Sequence, residues 1–224
     1  MVIMDGFQTS HSVENLEILE DSIAKNFVGD YAQKNYLLDF ENPKTFGPVS
    51  LPNSYFEFKR AQIEATDGVI AKLIEINKDY TEISGREYDL FEAYKLDDAE
   101  KAIVVAGSTA GTAKVAVDEL REQGEKVGLL KIKLFRPFPG DQIAEALKNV
   151  KKIAVLDRTA SFGSNAPLHS EIIQILCTIP DAKYTVQSCI YGLGGREIFV
   201  ENIKNIFEGL DNDIVEGVKY IGLK

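Results

Sequence analysis

Three arginines stand where apolar runs of this sequence give out. Arg136 lies in "KLFRPFPG" (133–140), Arg158 in "VLDRTASFG" (155–163) and Arg196 in "YGLGGRE" (191–197). A guanidinium is permanently charged and presents a fork of donors, which suits a carboxylate or a phosphate. Asp157 precedes Arg158 directly. A second anion cradle is offered by "GSTAGT" (107–112), small residues between an apolar run and a helical pattern. There the backbone N–H groups of a helix start, with the Ser108 and Thr109 hydroxyls beside them, face an incoming phosphate. The spacing is not G-x-G-x-x-G and no Walker lysine follows, so a tight strand-to-helix turn also accounts for it. The expectation is a basic rim of Arg136, Arg158 and Arg196, with Asp157, Ser108 and Thr109, for an anionic ligand or an acidic partner face. The alternative is three unrelated surface arginines. Near the start, Asp5, Ser10 and His11 of "MDGFQTSH" (4–11) read as a strand end and a polar turn of structural role. No nucleophile elbow and no Ser-His-Asp spacing accompanies these groups.

Metal chemistry finds no footing in the pattern. His11 and His169 are far apart, and the two cysteines, Cys177 and Cys189, cannot supply the four thiolates of an iron–sulfur cluster. Both cysteines sit in apolar runs and read as buried small hydrophobes. No metal site is expected in this chain.

The elements that must position the rim are regular from about residue 100 onward. Apolar runs at 102–107, 127–135, 152–157, 184–193 and 218–223 read as strands. Helical patterns at 109–124, 140–150, 168–179 and 197–210 alternate with them, with Gly124 closing the first and Asp141 capping the second. Strand–helix alternation gives an α/β fold, a doubly wound and mostly parallel sheet with right-handed crossovers. Its strand ends share one edge, the edge where open α/β sheets bind ligands. The first part of the chain differs. Residues 13–28 and 54–80 read as helices, and 29–53 as an irregular arm with Pro43, Pro48 and Pro52. Residues 1–95 are therefore expected to be the tail of a preceding domain plus a linker, a partial helical and extended segment, and 96–224 the α/β domain.

The chain has 224 residues, enough for one large or two small domains, and is 45% hydrophobic, enough for a sizeable core. Its 25 basic and 35 acidic residues give a formal net charge of −10. That balance argues against nucleic acid and against an anionic membrane surface as partners. No apolar run approaches the roughly 18–20 residues that span a bilayer, and no signal-peptide pattern opens the sequence, so a cytoplasmic location is expected.

Five stretches together resemble the alpha subunit of pyruvate:ferredoxin oxidoreductase and its 2-oxoacid relatives. They are "MDGFQTSHSVE" (4–14), "ISGREYDLFEAY" (83–94), "KVGLLKIKLFRPFP" (126–139), "VLDRTASFGSNAPL" (155–168) and "YGLGGREIF" (191–199), in the family's order. After Thr159 the chain departs from the family's pattern, with "ASFGSNAPLH" in place of a charged, Gly- and Pro-rich loop. The resemblance implies the end of a thiamine diphosphate pyrimidine-binding domain followed by a domain like the C-terminal domain of transketolase. It implies an intact enzyme that oxidatively decarboxylates a 2-oxoacid with thiamine diphosphate and Mg²⁺. Electrons then pass through iron–sulfur clusters to ferredoxin, and an acyl-CoA is formed. It assigns no catalytic residue to this chain, which it makes an assembly domain inactive alone, with thiamine diphosphate-binding and iron–sulfur subunits as partners. A free-standing phosphate- or nucleotide-binding α/β module remains the alternative.

Overall fold

The computed structural model describes residues 1–47, 49–179, 183–212 and 217–224; Pro48 of the irregular arm lies outside them. The chain divides into two compact units, one of Met1–Ser12 with Asp89–Lys224 and one of Val13–Tyr88.

The unit of Val13–Tyr88 is helical and has almost no interior. It holds α2 (Asp21–Val28), α3 (Tyr55–Asp67) and α4 (Val69–Ser84). The helix expected over 13–28 starts at Asp21, because Leu16 and Ile18 are exposed and give the preceding turns nothing to pack on. The long pattern at 54–80 is two helices that meet at Gly68, a residue that weakens helix interiors. Gly85, in the left-handed region, then ends α4. Tyr80 packs edge-on against Phe27 and Tyr88, at ring-centroid distances of 5.6 and 5.2 Å. None of the three helices buries a residue, while Phe40 and Phe56 stay 89% and 78% exposed.

The other unit is built on a six-stranded sheet. Its strands are β1 (Phe91–Tyr94), β2 (Lys101–Ala106), β3 (Val127–Ile132), β4 (Lys152–Asp157), β5 (Thr185–Tyr191) and β6 (Val218–Ile221). The order is β1-β3-β2-β4-β5-β6, all parallel except β1, which runs antiparallel to β3. Strand β1 was not expected: four residues with no clean alternation carry little signal, and β3 supplies the pairing. β3 stops at Ile132 rather than at 135, since the amides of Lys133 and Leu134 both turn to the Leu90 carbonyl.

The helices α5 (Thr109–Glu122), α6 (Gly140–Leu147), α7 (Pro167–Leu176) and α8 (Val200–Gly209) cover both faces. α5 and α8 bury Val117, Leu120, Ile203 and Phe207 on one face, against Ile103, Leu129 and Leu156. α6 and α7 bury Ile143, Leu147, Leu168 and Ile172 on the other, against Val104, Leu130 and Val155. The fold is therefore doubly wound, as the alternation of elements requires. One connection breaks the expected rule of hand. β4–α7–β5 and β5–α8–β6 step in the same direction across the sheet, yet α7 and α8 lie on opposite faces. The two crossovers are thus of opposite hand. The reason is coverage: α6 and α7 already fill one face, and α5 alone leaves β4 and β5 bare on the other. Two smaller expectations also change. Asp141 lies inside the first turn of α6 with Pro139 at the cap. Residues Gly6–His11 form a short helix, α1, instead of a strand end and turn.

Candidate functional site

Because β2, β4 and β5 are parallel, the turns that follow them open at one edge. The turn after β2 carries Gly107, Ser108 and Thr109, the end of β4 carries Asp157 and Arg158, and the turn after β5 runs from Gly192 to Phe199. A cleft of about 600 Å³ opens among them, walled by Ser108, Thr109, Arg158, Tyr191 and Arg196, with Phe7 of α1 on one side.

The floor is fixed by a buried pair. The Tyr191 hydroxyl donates to the Thr109 hydroxyl at 2.9 Å, and both residues are at least 95% buried. Burial pushes the Tyr191 phenol above its ordinary range, so it stays a neutral donor. The Arg158 guanidinium lies 5.9 Å from the centre of the Tyr191 ring, within cation–π reach. Its approach depends on Gly192: a Cβ there would sit 2.9 Å from Arg158 Nε, and φ is +67°.

The cleft already holds an anion, the Asp5 carboxylate. Ser108 Oγ donates to Asp5 Oδ2 at 2.5 Å, and Arg158 Nη1 lies 3.1 Å from the same oxygen. The Asp5 side chain is 17% exposed. The Ser108 hydroxyl, then Arg158 and the amides of Gln8 and Ser108, hold its carboxyl below the usual range against the opposing effect of burial. Asp5 thus joins the group that the sequence pattern placed elsewhere. Ser10 and His11 do not: they stay exposed on α1, bonded to one another at 2.7 Å, with His11 stacked on Phe7.

The expected rim is split. Arg158 and Arg196 line the cleft, and Arg196 also donates to the Gly222 carbonyl. Arg136 is not part of the cleft wall. It pairs with Glu171 of α7 at 2.6 Å and stacks on Phe135 at 4.3 Å. Asp157 is 5% exposed and faces inward. Its two carboxylate oxygens accept the N–H groups of Leu168 and His169 at 2.9 and 3.1 Å, which caps α7 from the end of β4. Burial raises the Asp157 carboxyl above its ordinary range, with the two amides working the other way. Tyr191 and Phe7 went unnoticed in the sequence. The signal for Tyr191 was its place at the end of an apolar run, directly before "GLGG". The expectation of two buried cysteines holds for Cys189 but not for Cys177, which falls at the exposed end of α7.

Comparison with known proteins places the whole chain. A family model described as pyruvate flavodoxin/ferredoxin oxidoreductase, thiamine diphosphate-binding, matches residues 1–77. Another, pyruvate:ferredoxin oxidoreductase core domain II, matches residues 99–203. Pyruvate synthase subunit PorA of Thermotoga maritima is 46% identical over 226 residues, covering 100% of this chain and 57% of that protein. Ketoisovalerate oxidoreductase subunit VorA of Pyrococcus abyssi is 34% identical over 218 residues, 97% of this chain and 55% of its own length. The chain therefore spans a little more than half the length of these relatives. Among solved structures, a 2-oxoglutarate:ferredoxin oxidoreductase from Magnetococcus marinus superposes with a TM-score of 0.52 at 18% identity, over 79% of this chain and 28% of that one. That likeness is one of fold. Among the described residues there is no group of three or more His, Cys, Asp or Glu that could hold a metal ion. No helix among them is long and apolar enough to cross a membrane. With both family models matched in order and PorA aligned along the full sequence, the chain belongs to the family of 2-oxoacid:ferredoxin oxidoreductase alpha subunits.

Proposed function

We propose that this chain works as part of a cytoplasmic 2-oxoacid:ferredoxin oxidoreductase, in which it supplies assembly surfaces and not the reacting groups. The intact enzyme oxidatively decarboxylates a 2-oxoacid on thiamine diphosphate and Mg²⁺, sends the electrons through iron–sulfur clusters to ferredoxin and forms an acyl-CoA. Residues 1–95 are the end of the pyrimidine-binding domain with a linker whose last strand, β1, joins the sheet, and 96–224 the transketolase C-terminal-like domain. The partners are the thiamine diphosphate-binding and iron–sulfur subunits or domains. The observation that carries this reading is the 46% identity to PorA along the entire chain, over 57% of PorA. The apolar surface of Val13–Tyr88 supports it: helices that expose Phe56, Phe58 and Ile63 at 53% or more are built to be covered.

Calorimetric titration of the isolated chain tests the reading, first with thiamine diphosphate plus Mg²⁺, then with CoA. The expected result is no saturable heat with either. Tight binding of thiamine diphosphate overturns the placement of the reacting groups outside this chain. A second reading, a self-sufficient phosphate- or nucleotide-binding module, is favoured by Arg158 and Arg196 lining one cleft, and saturable CoA binding alone selects it.

A further inference from the structure

Open α/β sheets bind ligands in the crevice beyond the strand ends where the strand order reverses. In this sheet the reversal lies between β2, whose chain moves on to β3, and β4, whose chain moves on to β5. The helices that follow these two strands lie on opposite faces, which opens the crevice between their ends. Ser108 stands at the end of β2 and Arg158 at the end of β4. Both reach the same oxygen of the Asp5 carboxylate, from 103 and 153 residues away. We propose that this crevice is an oxyanion site whose resident ligand is the chain's own Asp5 carboxylate, and that a free oxyanion such as phosphate enters when that carboxylate is removed.

Three observations combine in this assignment. The cation, Arg158, comes from a different strand than the hydroxyl, so the pairing is not the local chemistry of one helix start. The adjoining cleft of about 600 Å³, with Arg196 and the buried Thr109 in its wall, leaves room for an oxyanion larger than a carboxylate. Gly107, at φ +79°, makes the turn that leads into Ser108, and a Cβ built on it would touch Asp5 Oδ2 at 3.6 Å, an ordinary contact, so the carboxylate lies directly against this turn. The occupant belongs to Met1–Ser12, which groups with Asp89–Lys224 in one compact unit. The anion site therefore acts as a socket that ties the beginning of the sequence to the sheet. This inference rests on the cleft alone and not on the reaction proposed above. Its test uses no thiamine diphosphate, CoA or oxoacid, so the two can fail separately.

The experiment is thermal unfolding of the full chain with increasing inorganic phosphate, against chloride at matched ionic strength. Wild type, Asp5→Ala, Asp5→Asn and the double variant Asp5→Ala/Arg158→Ala are compared. Asp5→Asn keeps the shape of the segment should Asp5→Ala fold poorly. The expected result is a saturable rise in Tm in either single variant, roughly 3–6 °C at tenfold saturation. Wild type and the double variant show no rise beyond the chloride control. Single variants indifferent to phosphate overturn the proposal. So does a wild type or a double variant that responds as strongly as they do.

Discussion

The carboxylate of Asp157, the last residue of β4, accepts the backbone N–H of Leu168 at 2.9 Å, eleven residues further on. The loop between them leaves the sheet and returns to it, and α7 begins where the carboxylate holds it. The charged pair that ends this strand thus divides its work. Asp157 turns inward as a cap, and Arg158 turns outward to the cleft.

Removing the cap costs stability. Asp157→Ala leaves the amides of Leu168 and His169 without their acceptor in a buried place, a loss of about 1–3 kcal/mol. Urea unfolding reads it. An unchanged midpoint contradicts the capping role.

His169 makes stability fall in mild acid. Burial holds its pKa below the ordinary 6.5, although Asp157 pulls the other way. Below pH 6.5 the unfolded chain takes up a proton that the folded chain refuses, so stability declines as pH drops from that value toward the folded pKa. Asp157, with its raised pKa, contributes the opposite slope at lower pH, because its folded form takes a proton first. His169→Gln flattens the stability profile as the pH falls below about 6.5. An identical slope in wild type and variant refutes the assignment.

Gly128 in β3 is a packing requirement. A Cβ built on it meets the Lys95 carbonyl oxygen at 2.6 Å and Leu96 Cδ2 at 2.8 Å, where the chain passes from β1 to β2. Gly128→Ala destabilises the sheet unit by about 1–3 kcal/mol, read as a lower Tm. A neutral result means that this connection yields more easily than its contacts imply.

The two thiols separate by reactivity. Cys177 is exposed, while burial pushes the Cys189 thiol up to about 12. A disulfide-exchange reagent modifies one thiol quickly in the folded chain and the second only after denaturant is added. Two fast thiols contradict the buried place of Cys189.

What the sequence made legible was local. The runs that became β2 to β5 are apolar and bounded by glycines, prolines or charges, so their positions could be read within a few residues. The doubly wound plan followed from their alternation with helices. What it hid was distant or dictated by packing. Nothing near Asp5 announces a partner 103 residues away, and nothing in "YTVQSCIYG" links Tyr191 to Thr109. The face taken by α8 depends on which surface α5, α6 and α7 leave bare, a property of the assembled sheet. Three arginines at three strand ends looked equivalent in one dimension. Glu171 on α7 draws Arg136 away from the other two.

The central claim is that this chain is a working part of a 2-oxoacid:ferredoxin oxidoreductase alpha subunit. The most direct measurement replaces the matching segment of Thermotoga maritima PorA, 57% of that protein, with this chain and assays pyruvate-dependent reduction of ferredoxin by the reassembled enzyme. The account predicts a chimera that assembles and keeps activity within about tenfold of the parent, a barrier change of about 1.4 kcal/mol or less. A chimera that folds and assembles yet reduces no ferredoxin would contradict it.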